Sequence, residues 1–172
     1  MNQLPDKLIG FKVYSAAEDL IGVADVELPT MTAVSEGMQG AGIAGEIDTP
    51  AFGQFSGMQI GLTFRTISGD AVALLAPKVQ SLDIRGAIQS HDAGNSKLLT
   101  IPVKILVKTL PKEMNLGRLA MGVKTDTVNN FEVMYIKVWV GDQEILELDK
   151  LNYIFRVNGE DYFADTRVAL GM

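Results

Sequence analysis

The sequence predicts a mainly β protein: a barrel or sandwich of about seven or eight mostly antiparallel strands, with one short helix, a C-terminal helix and a long glycine-rich loop. Three observations lead to this class. Residues 131–140 contain no glycine or proline and are rich in aromatic and β-branched types, which favours a long strand. Residues 58–66 and 82–88 alternate apolar and polar side chains, as half-buried strands do. Residues 29–57 contain six glycines and follow neither periodicity over most of their length, which indicates a loop.

Length and composition are those of a single globular domain, and we expect residues 1–172 to form one. A chain of 172 residues buries about 70% of its unfolded surface. The absence of cysteine excludes a disulfide framework and a thiolate metal site. The first residues lack the pattern of a signal peptide, and no apolar run approaches the length of a membrane span, so we expect no membrane association.

The formal charge of −6 is unevenly distributed. Residues 1–57 carry two lysines and eight acids (net −6), residues 58–130 nine basic residues and five acids (net +4), and residues 131–172 four basic residues and eight acids (net −4). This is either ordinary surface variation or a set of complementary patches that meet when copies stack head to tail. The acidity argues against ordinary nucleic-acid binding, but it suits a surface that nucleic acid passes without adhering.

The N-terminal segment predicts a hairpin. Residues 9–14 form its first strand, 16–19 its turn, and 20–28 its second strand, which Pro29 ends. The glycine-rich loop then follows, with Met31, Met38 and Ile43 as its apolar anchors. Exposed anchors in a long functional loop indicate packing on another chain.

The middle of the chain continues with strands and one short helix. Residues 58–66 place four apolar side chains inward: Met58, Ile60, Leu62 and Phe64. Asp70 is the expected cap of a helix over 71–75 that Pro77 ends.

Residues 82–88 form the next strand, and the polar segment 91–96 a turn. Residues 99–108 form a further strand, which we expect at a sheet edge or with a bulge because Pro102 cannot donate to a ladder. Residues 110–129 read as a polar connection.

The C-terminal third is predicted to be a long hairpin and a helix. Residues 131–140 form the first arm, 144–149 start the second arm, and 153–157 continue it. Strict alternation puts Phe131, Val133, Tyr135 and Trp139 on one face, and Met134, Ile136, Val138 and Val140 on the other. A strand that is apolar on both faces is covered on both sides, by its own domain or by a neighbouring subunit. Residues 161–170 form the helix, with Gly171 just past it.

Several patterns could carry chemistry. Residues 40–45 match G-x-G-x-x-G, but no strand precedes them and no helix follows, so a flexible or tightly packed glycine loop is favoured over a dinucleotide site. His91, the single histidine, lies in a polar segment and is expected at the surface. With no cysteine and one histidine, a zinc site of the usual ligand type and a catalytic pair are disfavoured, and we expect neither a cofactor nor an enzyme.

Two further groups have alternative readings. Asp142, Glu144, Glu147 and Asp149 could bind calcium, but the EF-hand spacing is absent and a solvated acidic rim is favoured. The aromatic residues of 131–140 could stack on bases, although a role in the core is favoured in an acidic chain.

A set of short segments is spread in order along nearly the whole chain: residues 4–9, 22–29, 40–46, 75–77, 82–87, 110–112, 131–133, 135–138, 149–153 and 167–171. Together these segments resemble the major tail tube protein of contractile-tailed phages. The resemblance implies a β-barrel-like protein of the virion tail that forms hexameric rings, which stack into a tube inside a contractile sheath. It further implies assembly in the host cytoplasm, sheath and baseplate or terminator partners, and DNA that passes through the lumen without specific binding.

The resemblance also implies roles for two sets of residues. The long loop 29–57 would contact the adjacent ring, through Met31, Met38, Gly40, Gly42, Ile43 and Gly45. The long strand would belong to the tube wall, through Phe131, Val133, Tyr135, Lys137 and Trp139. A headless contractile bacteriocin particle would use the same kind of tube. The contrasting hypothesis is a monomeric binding module or small enzyme that holds a phosphate ligand on the glycine loop.

Overall fold

The computed structural model describes residues 3–15, 19–94 and 97–172. Within them the chain forms twelve strands and two short helices: β1 (Gln3–Ser15), β2 (Leu20–Ile21), β3 (Val23–Glu27), β4 (Ala33–Met38), β5 (Ile47–Phe55), β6 (Gln59–Phe64), α1 (Gly69–Ala73), β7 (Gln80–Asp92), β8 (Lys97–Asn115), β9 (Thr127–Val140), β10 (Gln143–Asp149), β11 (Ile154–Val157), β12 (Glu160–Asp161) and α2 (Ala164–Ala169). The mainly β, antiparallel class is confirmed. Twelve strands exceed the expected seven or eight, because β4 and β5 lie in the segment predicted to be a loop and because β2 and β12 have only two residues each.

Ten of these strands form one antiparallel sheet, which forks at β9. On one side β9 pairs with β8; on the other, residues 127–132 pair with β6 and residues 135–140 with β10. The other edge of β6 pairs with β3. The β3–β6 pair packs over β1, β7 and β8, because side chains from these five strands form one buried cluster. The result is a two-layered sandwich.

A single expected strand over residues 20–28 is wrong, because the chain breaks at Gly22. β2 pairs with β1 in one layer, and β3 pairs with β6 in the other. The chain thus passes from one layer to the other at Gly22, where the strand is interrupted. Because of this interruption, the described strands do not form a closed barrel. The N-terminal hairpin is confirmed, although its predicted turn lies outside the described residues except for Asp19.

The core lies between the two layers. The alternation in residues 58–66 is confirmed, since the four apolar side chains predicted to face inward are 0–2% exposed. Each fully buried side chain of this size contributes about 1.5–3 kcal/mol. The other fully or nearly fully buried apolar residues are Val13, Ile21, Ala71, Leu74, Leu82, Ile84, Ile105, Val107, Phe131, Val133, Ile136, Leu148 and Phe163.

A β-bulge interrupts the alternation of β9. Pairing with β8 passes from Thr109–Val133 directly to Lys108–Tyr135, so Met134 has no partner on β8. An extra residue in a strand moves every later side chain to the opposite face, because the side-chain period is two.

The predicted common face of Phe131, Val133, Tyr135 and Trp139 is therefore wrong. Phe131 and Val133 are buried in the core. Beyond the bulge it is Ile136 that is buried, and the two remaining aromatic rings lie on the opposite face of the sheet.

The expected edge at Pro102 is confirmed for the start of β8 only: residues 97–102 pair with β7 and not with β9, whereas from Val103 onward β8 lies between β7 and β9. Its proline is nevertheless placed as proline chemistry requires. Pro102 pairs with Ala87 of β7, whereas the β9 ladder ends at the neighbouring pair Val103–Val140. The missing N–H therefore costs no ladder hydrogen bond on the β9 side.

Residues 154–157 do not continue the second arm of the hairpin but reverse to form a third strand. The Asp149 carboxylate accepts hydrogen bonds from the backbone of Leu151 and Asn152, and Tyr153 adopts a positive φ of 51°. These features build a tight turn, after which β11 pairs antiparallel with β10.

Both predicted helices are present, but α1 lies two residues earlier than the predicted 71–75 and has a different cap. Ser68, and not Asp70, is the N-cap of α1, because its hydroxyl accepts a hydrogen bond from the Ala71 N–H. α2 occupies Ala164–Ala169 within the predicted 161–170, and Gly171 follows with a φ of 73°. Among the described residues, no helix is long and apolar enough to cross a membrane.

Three connections differ from expectation. His91 lies in β7 and not in a turn, and Asn95 and Ser96 of that predicted turn lie outside the described residues. The glycine-rich segment contains two strands, β4 and β5, which pair with each other. The segment 110–129 is not polar: β8 extends through Asn115, and an exposed, largely apolar loop follows.

Candidate assembly surfaces

The β4–β5 hairpin stands apart from the rest of the sheet. Its strands pair only with each other, and every residue of β4 is exposed. Isolated two-stranded hairpins are marginally stable in water, so this one depends on contacts at its base. There the Phe55 and Phe155 rings meet edge to face at 5.2 Å, the Ser56 N–H donates to the Thr32 carbonyl, and Gly53 lies against Phe163.

The tip of this hairpin is a glycine turn, residues 39–46. Gly40, Gly42 and Gly45 all have positive φ angles, which glycine adopts at no steric cost. Ile43 is half-buried, and its N–H donates to the Gly40 carbonyl at 3.1 Å. Met38, at the start of the turn, is 49% exposed.

Met31, the remaining residue predicted for this loop, lies at the base of the hairpin. Its side chain is partly buried and packs against the core. Met31 is therefore part of the anchor and not of the uncovered tip.

The hairpin is purely acidic. Residues 33–55 contain Glu36, Glu46 and Asp48 and no basic residue. Within the part of the chain that the structure describes, none of these three carboxylates forms an ion pair. The hairpin therefore presents three uncompensated negative charges together with exposed apolar side chains.

The face of the long strands opposite the core carries a network of charged and aromatic side chains. Backbone pairing aligns one row across six strands: Tyr14, Asp83, Leu106, Lys137, Glu147 and Arg156. Beside this row, Lys104 lies 5.5 Å and Lys137 lies 5.2 Å from the centroid of the Trp139 ring, and Lys108 lies 5.2 Å from that of Tyr135. Such cation–π contacts contribute about 0.5–1 kcal/mol each at exposed sites.

Glu147 is the buried centre of this network. Its carboxylate accepts hydrogen bonds from the Tyr135 hydroxyl at 3.0 Å and the Arg156 guanidinium at 2.8 Å, and Lys137 Nζ lies 3.5 Å away. Burial acts to raise the pKa of Glu147, but these donors and positive charges outweigh it and hold the pKa below its usual value. Burial and the bond to Glu147 raise the pKa of Tyr135 well above its usual range.

The prediction of a solvated acidic rim is therefore wrong for Glu147, and sequence reasoning missed this network. Its signal was present in the alternation of Tyr135, Lys137 and Trp139, but the bulge concealed it. Counting the charged side chains in these contacts, five cations face four carboxylates: Arg85, Lys104, Lys108, Lys137 and Arg156 against Asp83, Glu144, Glu147 and Asp161. The acidic excess of the chain is therefore not carried by this face.

A third surface is the open edge of β1. β7 pairs with β1 along its length, whereas on the other side β2 pairs only with Val13 and Tyr14. Within the described residues, the stretch before Val13 therefore has no strand on that side. Leu4, Leu8 and Ile9 in this stretch are all more than half exposed. Such an edge is a template for strand pairing with another chain.

Among the described residues, the other candidate sites do not form a dinucleotide, catalytic or metal site. Contrary to expectation a strand, β4, precedes the G-x-G-x-x-G pattern, but the antiparallel strand β5 and no helix follows it, as expected for a pattern that is not a dinucleotide site. His91 Nε2 lies 3.4 Å from the Asp6 carboxylate at the surface. Among the described residues, no three His, Asp or Glu side chains converge as metal ligands would.

An uncovered hairpin, an open strand edge and a charged sheet face define a structural protein that associates through its surfaces. The family model described as phage tail tube protein FII matches residues 5–171. The chain belongs to this family of phage tail tube proteins, and it is a structural component of the virion tail. The family resemblance seen in the sequence is confirmed.

Two relatives match nearly end to end. The chain is 27% identical over 174 residues to the tail tube protein of Escherichia phage P2, which covers 98% of this chain and 99% of that protein. It is 23% identical over 171 residues to the major tail tube protein of Serratia phage KSP20, which covers 98% of each.

Solved structures share the fold at low identity. A chain of the PVC sheath–tube complex, from an extracellular contractile injection system in the extended state, aligns with a TM-score of 0.51 and 12% identity, over 75% of this chain and 87% of that one. A chain of the PVC sheath/tube terminator in the extended state aligns with a TM-score of 0.54 and 14% identity, over 81% and 99%.

Proposed function

We propose that this protein forms hexameric rings that stack into the inner tube of a contractile phage tail, the conduit through which DNA is delivered. The observation that carries the proposal is the β4–β5 hairpin, whose strand β4 and glycine tip are largely exposed and which contacts its own subunit at its base. A marginal hairpin gains its stability from a neighbour, and head-to-tail use of one such element produces rings or filaments.

The hairpin is the ring-stacking element of this proposal. Met38 and Ile43 offer apolar contact at the tip, and the three glycines let the turn approach another backbone closely. The open edge of β1 is suited to the contact within a ring, since an edge strand pairs with another strand through backbone hydrogen bonds.

The tube wall consists of the long strands, and the face of β8 and β9 that lies opposite the core is directed toward the lumen. Phe131 and Val133 pack this wall against the core, whereas Tyr135, Lys137 and Trp139 lie on the opposite face, toward the lumen. The charges of this face are largely paired with one another. A paired surface offers phosphates neither strong attraction nor strong repulsion, so DNA can slide along it.

The partners of such a tube are copies of itself, the tail sheath, and baseplate or terminator proteins. The similar chains in the sheath–tube complex and the sheath/tube terminator support this part of the proposal. They equally support a second candidate, the tube of a headless contractile particle, because their own assembly is an extracellular injection system. Both candidates are non-enzymatic, assemble in the bacterial cytoplasm and need no cofactor.

The experiment is electron microscopy of the purified protein over a concentration series, with and without the hairpin tip. Met38 and Ile47 pair across the hairpin, so replacing residues 39–46 by Asn-Gly joins them through a two-residue turn. We expect six-fold rings or hollow tubes from the native chain, and a folded subunit without stacked tubes from the shortened one.

A control chain keeps the length of the tip but replaces its eight residues by glycine and serine, which separates loop length from loop sequence. Circular dichroism and thermal unfolding verify that each variant is folded. Normal tubes from the shortened chain would rule out the hairpin as the stacking element. Failure of the native chain to form rings or tubes, even on a tail baseplate, would rule out the tube.

A further inference from the structure

The loop that joins β8 to β9 exposes four large apolar side chains. Across residues 116–124 every side chain is exposed, and Leu119 and Met121 are 83% and 101% accessible. Leu116 and Val123 are also more than half exposed. Contiguous exposed apolar side chains of this kind mark an interaction site.

Backbone hydrogen bonds fix the conformation of this loop, although its side chains are exposed. The Arg118 N–H donates to the Thr125 carbonyl, and the Thr125 N–H donates to the Arg65 carbonyl, both at 2.9 Å. Gly117 has a φ of 82°, and a Cβ there would collide with the Thr125 carbonyl oxygen. The fold therefore presents these apolar side chains on a defined loop.

The exposed part of this loop, residues 116–124, is also basic. Arg118 and Lys124 are its charged residues, and Asp126, next to β9, is the one acidic residue between β8 and β9. Within the described part of the chain neither cation forms an ion pair. The surface that covers this loop should therefore be apolar and acidic.

The β4–β5 hairpin has this chemistry. It carries three unpaired carboxylates and no basic residue, and Met38 and Ile47, paired across its strands, are about half exposed. Among the described residues, no hydrogen bond, ion pair or ring contact joins the hairpin to residues 116–124 of the same subunit. Each segment lacks in its own subunit what the other provides.

We propose that residues 116–124 of one copy dock on the acidic β4–β5 hairpin of a second copy. The interface is apolar at its centre, through Met121 and Met38, and electrostatic around it, through the loop cations and hairpin carboxylates. It joins two different patches of the same chain, so it is heterologous and propagates from copy to copy. The inference rests on the proposed tube, for which it names the surface that receives the stacking hairpin.

The first test is reversal of charge. The variant Arg118→Glu with Lys124→Glu should raise the critical concentration for tube formation at least tenfold in sedimentation assays, because acidic loops then meet acidic hairpins. Adding Glu36→Lys, Glu46→Lys and Asp48→Lys to the same chain reverses both surfaces and should restore assembly. The matched control, Lys78→Glu with Lys97→Glu, reverses two exposed cations elsewhere and should leave the critical concentration within about twofold.

The second test is cross-linking, which the absence of cysteine makes specific. A chain with Met38→Cys and Met121→Cys should form a ladder of covalent multimers when tubes are oxidised. A chain with Met38→Cys and Lys78→Cys should not.

The outcomes separate this inference from the proposed function. If the native chain makes no tubes, the proposed function fails. If the charge-reversed loop assembles like the native chain, or the Met38–Met121 chain gives no ladder within normal tubes, the docking inference fails and the tube stands. If the charge-reversed chain assembles normally and only its affinity for DNA falls, residues 116–124 bind nucleic acid and the docking inference is overturned.

Discussion

Val133 and Tyr135 lie two positions apart on β9 yet point to opposite faces of the sheet. Val133 is fully buried in the core. On the other face, the Tyr135 ring lies under the ammonium group of Lys108, and the Tyr135 hydroxyl donates a hydrogen bond to the Glu147 carboxylate. Met134, the extra residue between them, also marks the point where β9 exchanges β6 for β10 as its partner. The bulge therefore coincides with the fork of the sheet and places the charged and aromatic residues that follow it in β9 on the face opposite the core.

Deleting Met134 should leave a folded subunit. Without the extra residue Tyr135 directly follows Val133, so strict alternation keeps Val133 and Ile136 toward the core and Tyr135 and Lys137 on the opposite face, as in the native strand. Deleting Ile136 instead puts Lys137 directly after Tyr135 and so toward the core, and should give an insoluble or unfolded chain, judged by circular dichroism and solubility. Equal behaviour of the two deletions would contradict this reading of β9.

Glu147→Gln should destabilise the subunit most at neutral pH. The folded-state pKa of Glu147 is lowered, so its contribution is present above the unfolded value of about 4.3 and disappears as pH falls through the folded pKa. We expect a loss of about 1–3 kcal/mol at pH 7 that shrinks progressively as the pH falls below about 4.3, measured by urea unfolding across this range. Glu46→Gln, at an exposed carboxylate without an ion pair, is the control and should change little; a pH-independent deficit in Glu147→Gln would refute the explanation.

Gly53→Ala should detach the base of the hairpin. Gly53 has a φ of 66°, and an added Cβ would lie 2.6 Å from Cζ of Phe163. We expect a cost of about 2–3 kcal/mol and faster proteolysis of residues 33–55. Gly42→Ala has a comparable positive φ of 96° but open space around it, so it isolates backbone strain and should affect only the tip. Equal protease resistance of Gly53→Ala and the native chain would contradict the anchoring role of Phe163.

Trp139 reports on the face that should line the lumen. It is the single tryptophan of the chain, so its fluorescence is unambiguous. In assembled tubes we expect iodide to quench it still, since small ions enter a hollow lumen, whereas a quencher attached to a large protein should lose access. The free subunit serves as the control and should be quenched by both. Loss of iodide quenching on assembly would place this face between subunits.

Local patterns predicted the strands that a single face buries. The alternation of residues 58–66 was sufficient because one side of β6 meets the core along its whole length. The helix α1 was likewise predictable, although its cap was not: Ser68 and Asp70 are both good caps, and only the geometry of the hydroxyl and the Ala71 N–H distinguishes them.

Sequence patterns gave wrong predictions for segments that pack against two neighbouring elements or against none. β4 has exposed side chains at every position, so it shows no alternation that could reveal a strand. Pro102 signalled an edge, but β8 is an edge only in its first residues, where β9 has already ended. Residues 110–129 are predicted to be a polar connection, whereas the exposed surface of residues 116–124 is largely apolar.

By itself, the sequence determined the mainly β class, the family, and the location of the long strands and of the glycine-rich segment. These depend on residue type and on spacing along the chain, both of which are local. Tertiary structure alone decided which side of β9 faces the core, which charges pair around Glu147, and that an acidic hairpin and a basic loop both lie open. Those properties depend on registers between strands distant in sequence, and a single unpaired residue such as Met134 reverses them without leaving a periodic signal.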